Sequence, residues 1–267
     1  MQIIVDNLAV KYELIGKGKT VVMLHGWGDN HTTFNLLAAY LSSQYQLLAL
    51  DLPGFGSSQP PKSPWNLDNY ANLIAAVISK LNLKPYAFIG HSNGGALVIR
   101  GLSLGNLKAD RLVLIASAGI RNSQPTKRLL TKTIAKAGKA TTFWLPREVR
   151  QHLRTKLYGT IGSDLLVVPE LAATFKLTVS QDVQADAGQL TLPTLIINAD
   201  HDPAIPLSDG LRFHNLISGS RFEVLNSTTH FIHQEQAEIV AKLILGFLWI
   251  KQFANSLVFT RFVCQQR

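Results

Sequence analysis

Three short runs, VVMLH at 21–25, RLVLIAS at 111–117 and TLIIN at 194–198, are apolar at nearly every position. A strand with one wetted face alternates apolar and polar residues, so a strand apolar throughout must be covered on both faces. Parallel strands meet that demand through crossover helices, and helix-length amphipathic stretches stand between these runs. The pattern predicts an α/β fold with a mostly parallel eight-stranded sheet, its strands over 2–5, 9–15, 20–25, 46–51, 86–90, 111–117, 193–199 and 221–225. The first two alternate more clearly and predict an antiparallel edge. Helices are expected over 32–42, 67–81, 93–104, 207–216 and 234–248.

The spacing breaks once. From 117 to 193 the chain is far longer than a crossover of roughly a dozen residues needs, so a subdomain is inserted there. Segments around 127–137, 146–157 and 169–179 read as helical, which predicts a helical cap over 121–185 above a core of 1–120 and 186–248. Residues 249–267 extend past the last helix with no role to assign. One large domain with an insertion suits 267 residues that are 46% hydrophobic and 16% charged, a composition that excludes disorder as the main state. The lone cysteine, Cys264, rules out a disulfide framework and fits a reducing compartment. The start, MQIIVDNLAV, carries no basic cluster and Asp6 interrupts it; the apolar stretch at 239–259 contains Lys242, Lys251, Gln252 and Asn255. Neither reads as a secretory signal or a spanning helix, so a cytoplasmic protein is expected.

The segment Gly90-His91-Ser92-Asn93-Gly94 stands between a strand and a helix and matches G-x-S-x-G. A sharp strand-to-helix turn lifts the serine out of the sheet, and small neighbours let other chain segments approach. An ordinary serine hydroxyl is too weak an acid to attack an ester unaided, so a histidine must take its proton and an acid must orient that histidine. After later strands come Asp200-His201-Asp202-Pro203-Ala204-Ile205-Pro206 and Ser227-Thr228-Thr229-His230, in the order Ser, Asp, His. Both lie at strand carboxyl ends, where ligands of open α/β sheets gather. Asp200 competes with Asp202 as the acid, and His233 with His230 as the base. His25 reads as a structural residue orienting the loop after the third strand. His91 either shapes the pocket or is an exposed elbow residue.

With His25-Gly26-Trp27-Gly28 after the third strand and Asp51-Leu52-Pro53-Gly54-Phe55-Gly56-Ser57-Ser58 after the fourth, the chain resembles α/β-hydrolase fold enzymes over roughly residues 8–248. The likeness is to the broad group of carboxylesterases, lactonases, carbon–carbon bond hydrolases and pimeloyl carrier-protein methyl ester esterase. It implies Ser92 as nucleophile, Asp202 as acid and His230 as base, with an oxyanion hole from the backbone N–H groups of Trp27 and Asn93. It implies a serine hydrolase of carboxylic esters, with no metal or organic cofactor. Another reaction of the group, or a non-catalytic scaffold with a basic cap, is the alternative. Thr229 and Ala199 stand where the family commonly has glycine, at positions that carry no chemistry.

Gly16-Lys17-Gly18-Lys19-Thr20 resembles the end of a phosphate-binding loop, but Glu13 occupies the upstream glycine position and the segment precedes a strand. No H-E-x-x-H or Cys/His cluster points to a metal. The formal charge is +9, and residues 121–185 hold eleven Lys or Arg against four Asp or Glu, a net +7. These are either solvated helix faces or, through Arg128, Arg147, Arg150 and Arg154, a surface that attracts an anionic substrate, an acidic carrier protein or a membrane surface. No aromatic residues interleave with them as in single-strand binders, so nucleic acid is not an expected partner.

Overall fold

The computed structural model describes residues 1–121 and 168–249. Among them, eight strands form one sheet: β1 (Gln2–Val5), β2 (Leu8–Ile15), β3 (Lys19–Leu24), β4 (Tyr45–Leu50), β5 (Pro85–His91), β6 (Arg111–Ile115), β7 (Thr194–Ala199) and β8 (Arg221–Leu225). The order is β1-β2-β4-β3-β5-β6-β7-β8. β1 pairs antiparallel with β2 and β2 with β4, while every pairing from β4 to β8 is parallel. The antiparallel edge and the parallel centre both follow the hydrophobic pattern, because only the central strands are apolar on both faces.

Period-two alternation divides the core. Val22, Leu24, Phe88, Leu112, Leu114 and Ile196 belong to the cluster on one side of the sheet. Their neighbours Val21, Met23, Ala87, Ile89, Val113, Ile115, Leu195 and Ile197 belong to the other. The first side is covered by α2 (Leu67–Lys80), α3 (Asn93–Ser103) and α6 (Leu207–Leu216), the second by α1 (Asn35–Leu41) and α8 (Ala237–Trp249). Helix α2 begins on a reciprocal capping box, in which the Asn66 side chain accepts from Asn69 N–H and the Asn69 side chain accepts from Asn66 N–H, each at 3.0 Å.

Three expected boundaries shift for local reasons. The helix expected over 32–42 opens as a 3-10 turn, His31–Phe34, because the Asn30 side chain caps Thr32 N–H at 2.9 Å. The strand expected to reach 117 stops at Ile115, where Ala116 turns to φ 43°. The single helix expected over 234–248 is two: α7 (Ile232–Glu235) and α8, separated at Gln236, whose φ of −129° is not helical and whose amide donates to Asn226 O at 3.1 Å.

Of the expected insertion, the segments at 127–137 and 146–157 lie outside the described residues, as does 250–267. Its described end, a 3-10 turn at Pro169–Leu171, α4 (Ala172–Ser180) and α5 (Gln184–Ala187), is tied to the core. Thr174 Oγ1 accepts from Trp65 N–H at 3.1 Å, Gln181 Oε1 from Leu67 N–H at 2.7 Å, and Asp186 from Arg100 at 2.9 Å.

Candidate active site

Because β3 to β8 run parallel, the loops after β3, β4, β5, β7 and β8 emerge at one edge of the sheet, and all the sequence-nominated residues stand on four of them. Ser92 links β5 to α3 with φ 51° and ψ −118°, a conformation that costs a non-glycine residue about 1–3 kcal/mol. Three hydrogen bonds hold it there: Ser92 N–H to Ile115 O, and the N–H groups of Gly95 and Ala118 to Ser92 O, each 3.0 Å. The turn is tight enough that a Cβ on Gly94 would lie 2.1 Å from Leu24 O, and one on Gly90 would lie 2.6 Å from Gly95 Cα. Side chains at these two places are excluded by backbone, which is the physical content of the glycines flanking the serine.

The loop after β3 lies against Ser92, since a Cβ on Gly26 would sit 3.1 Å from Ser92 Cβ. Neither Trp27 N–H nor Asn93 N–H has a partner among the described residues. His25 is fully buried and fixes this loop: its Nδ1–H donates to Gly26 O at 2.7 Å and its Nε2 accepts from Leu52 N–H at 2.9 Å. Burial holds its pKa below the usual histidine range, which keeps Nε2 free to accept.

A second clamp escaped the sequence reading. Buried Asp51 accepts from His31 N–H at 2.8 Å and pairs with His31 Nδ1 at 2.5 Å, and its other oxygen accepts from Ser57 N–H at 2.8 Å. Burial pushes this carboxyl up, but the donors from His31 and Ser57 outweigh it and hold the pKa below the usual value. The pair ties the loop after β3 to the loop after β4. Asp51 stood in a quoted motif, but nothing in the sequence links it to His31.

His230 Nδ1 lies 2.7 Å from Asp202 Oδ2, with the Asp202 side chain fully enclosed. The second Asp202 oxygen accepts from Ala204 N–H at 2.7 Å and Ile205 N–H at 2.9 Å, which fixes the direction of the carboxylate. Asp200 instead accepts from the N–H groups of Ser227 at 3.0 Å and Thr228 at 3.2 Å. The Ser227 donor lowers its pKa most; burial opposes this, and the Thr228 donor adds to the lowering. It fastens the loop after β8 and does not touch His230. Thr229, in the place of the family's glycine, is held by Glu235 through its N–H at 2.8 Å and through its hydroxyl.

His91 is buried, which removes the exposed-elbow alternative: the strand packs its ring inward against His230, Phe231 and His233. Its Nε2 lies 3.0 Å from the His230 carbonyl. His233 is also fully buried, with Nε2 2.9 Å from Thr33 Oγ1. Above the elbow, Trp27 meets Phe55 edge-on at 4.8 Å and Phe175 of α4 at 5.0 Å, an apolar wall. A groove of about 640 Å³ lined by Lys19, Tyr45, Tyr86, Arg111 and Trp249 opens at the opposite edge of the sheet, remote from these groups. Among the described residues, no cluster of three His, Cys, Asp or Glu could hold a metal ion, and no helix is long and apolar enough to cross a membrane.

Residues 21–243 match the model of the alpha/beta hydrolase family. A pimeloyl-[acyl-carrier protein] methyl ester esterase of Neisseria meningitidis serogroup C is 26% identical over 244 residues, covering 86% of this chain and 93% of that protein. Two solved structures share the fold. An esterase from Exiguobacterium antarcticum has a TM-score of 0.71 at 23% identity, covering 92% of this chain and 97% of that one. A meta-cleavage product hydrolase from Pseudomonas fluorescens has a TM-score of 0.70 at 21% identity, covering 92% and 96%.

Proposed function

Since the chain belongs to the alpha/beta hydrolase family, we propose that it hydrolyses carboxylic esters through an acyl-enzyme on Ser92. His230 Nε2 takes the Ser92 proton as Oγ attacks the carbonyl carbon, and the tetrahedral oxyanion accepts hydrogen bonds from Trp27 and Asn93 N–H. The intermediate collapses, the alcohol leaves with the proton from His230, and Ser92 carries the acyl group. Water then gives a proton to His230 and attacks the acyl carbon, and as the second tetrahedral intermediate collapses His230 returns the proton to Ser92 Oγ and the acid is released. Asp202 keeps the proton on Nδ1 and steadies the imidazolium that forms twice in the cycle.

The observation that carries this reading is the His230–Asp202 contact of 2.7 Å, with the second acid oxygen already held by two N–H groups. In this reading Phe175 of α4, which meets Trp27 at 5.0 Å, is part of the acyl wall. The test is hydrolysis of p-nitrophenyl esters from two to twelve carbons by wild type and Ser92→Ala, with a fluorophosphonate as a covalent label. The variant loses more than about 10³-fold in kcat/KM and all labelling. A wild type that neither turns over any ester nor takes the label leaves the chain a binding scaffold.

The basic excess of 121–185 supports a finer reading, that the acyl group reaches the site on an anionic molecule such as an acidic carrier protein. The likeness to the Neisseria esterase points the same way.

A further inference from the structure

The backbone donor at Trp27 lies between two glycines, Gly26 and Gly28, and Gly28 takes φ 76°. With no Cβ on either side, the local chain does little to fix the direction of that N–H. What fixes it must come from elsewhere in the fold.

The span from His25 to His31, between β3 and the turn at His31–Phe34, meets the loop after β4 at three places. His25 Nε2 accepts from Leu52 N–H at 2.9 Å, the Trp27 ring meets Phe55 edge-on at 4.8 Å, and His31 gives Asp51 its main-chain N–H at 2.8 Å and its Nδ1–H at 2.5 Å. Two histidines at the ends of one loop are thus fastened to two successive residues of another. The bonds inside the span, Asn30 N–H to Asp29 at 2.8 Å and Thr32 N–H to Asn30 at 2.9 Å, bend it but join it to no other segment. Beyond it, Thr33 Oγ1 accepts from the Gln234 amide at 2.6 Å, which holds the following turn against the end of the chain segment carrying His230.

Asp51 is a firm anchor. Its N–H donates to Lys11 O at 2.9 Å, its carbonyl accepts from Ser58 Oγ at 2.6 Å, and its Oδ2 accepts from Ser57 N–H at 2.8 Å. The chain closes over it so tightly that a Cβ on Gly56 would lie 2.2 Å from Asp51 Oδ2. Burial disfavours its charge, but the His31 and Ser57 N–H groups outweigh that and hold its pKa below the usual carboxylate value. An ionised carboxylate only accepts, so His31 Nδ1 carries the proton of the pair.

We propose that His31 is a positioning residue for the oxyanion hole: by clamping the end of the loop after β3 to Asp51, it holds the Trp27 N–H where the tetrahedral oxyanion forms. The inference rests on the reading of Ser92 and Trp27 given above. His31 acts through the main chain of residues 28–30 rather than on the substrate. A misplacement of 1 Å can cost about 10²-fold in rate, and loss of a whole oxyanion donor about 10²–10³-fold.

Kinetics on a p-nitrophenyl ester, well below the melting temperature, test the role. His31→Ala is expected to lower kcat by about 10- to 100-fold with KM within about threefold, since the oxyanion forms in the transition states and not in the bound ester. The inhibition constant of a trifluoromethyl ketone, whose adduct with Ser92 carries an oxyanion, rises by a similar factor. His31→Asn, which still offers a side-chain N–H to Asp51, regains most of the loss. A melting temperature that falls with kcat unchanged, a rise in KM at constant kcat, or ketone inhibition that stays at the wild-type value would each overturn the assignment. His31→Phe, which keeps a ring and removes the donor, decides if His31→Ala does not fold. Backbone nitrogen relaxation reads the clamp without any turnover. Order parameters at Trp27 to Asn30 are expected to be about 0.85 in the wild type and below about 0.6 in His31→Ala, with His25 unchanged. Wild-type values already below about 0.6 overturn the clamp. If the wild type hydrolyses no ester while the relaxation behaves as expected, the esterase reading falls and the clamp stands.

Discussion

Asp200 and Asp202 stand two residues apart on one loop and hold different things. Asp202 meets His230 at 2.7 Å, whereas Asp200 accepts the main-chain N–H groups of Ser227 and Thr228. Asp202→Asn is expected to lower kcat by about 10³-fold or more, since an amide there favours the wrong imidazole tautomer. Asp200→Asn still accepts one of its two bonds, so kcat should stay within about tenfold while the melting temperature falls. Steady-state kinetics and thermal melts of the two variants separate the roles, and a greater kcat loss at Asp200 would reverse the assignment. Glu235 holds Thr229 through both its N–H and its hydroxyl, which pins the loop carrying His230. The residue types in the site were legible from sequence and the resemblance implied Asp202, but the contact each of the two carboxylates makes depends on its direction in space.

At the scale of elements, the elbow works because α3 leaves β5 while crowded against the end of β3. The closest obstacle to a Cβ on Gly94 is the Leu24 carbonyl at 2.1 Å, and backbone in a buried parallel strand has nowhere to move. Gly94→Ala is therefore expected to cost about 2–3 kcal/mol of stability, read as a lower urea midpoint at unchanged slope. An unchanged midpoint would mean that the strand yields. Strand and helix existence was readable because hydrophobic period is a local property of the chain. The ends were less so: the break at Gln236 depends on its amide reaching Asn226, and the stop at Ile115 on the chain turning beneath Ser92. Both contacts join an element to a loop beside another element, and hydrophobic period does not report such a contact even where the two residues are 10 positions apart.

For the molecule as a whole, charge is unevenly distributed, with a net +7 of the +9 in residues 121–185. If that excess steers an anionic substrate, kcat/KM for an anionic ester falls several-fold between low and high salt, while that for a neutral ester of equal length stays nearly constant. Equal salt dependence for the two would assign those charges to solvated surface alone. The sheet makes the arrangement possible: two apolar faces, each buried by its own helices, leave the strand carboxyl ends as the place where separate loops converge. The chain's own pattern determined this architecture, its antiparallel edge and the serine elbow, because apolar period and glycine spacing act between residues that are neighbours along the chain. Only the tertiary structure shows that Asp202, the acid the resemblance implied, lies against His230, that His91 faces inward, and that His31 meets Asp51. Those pairings join residues 28, 139 and 20 positions apart, and their chemistry depends on distance and direction through space.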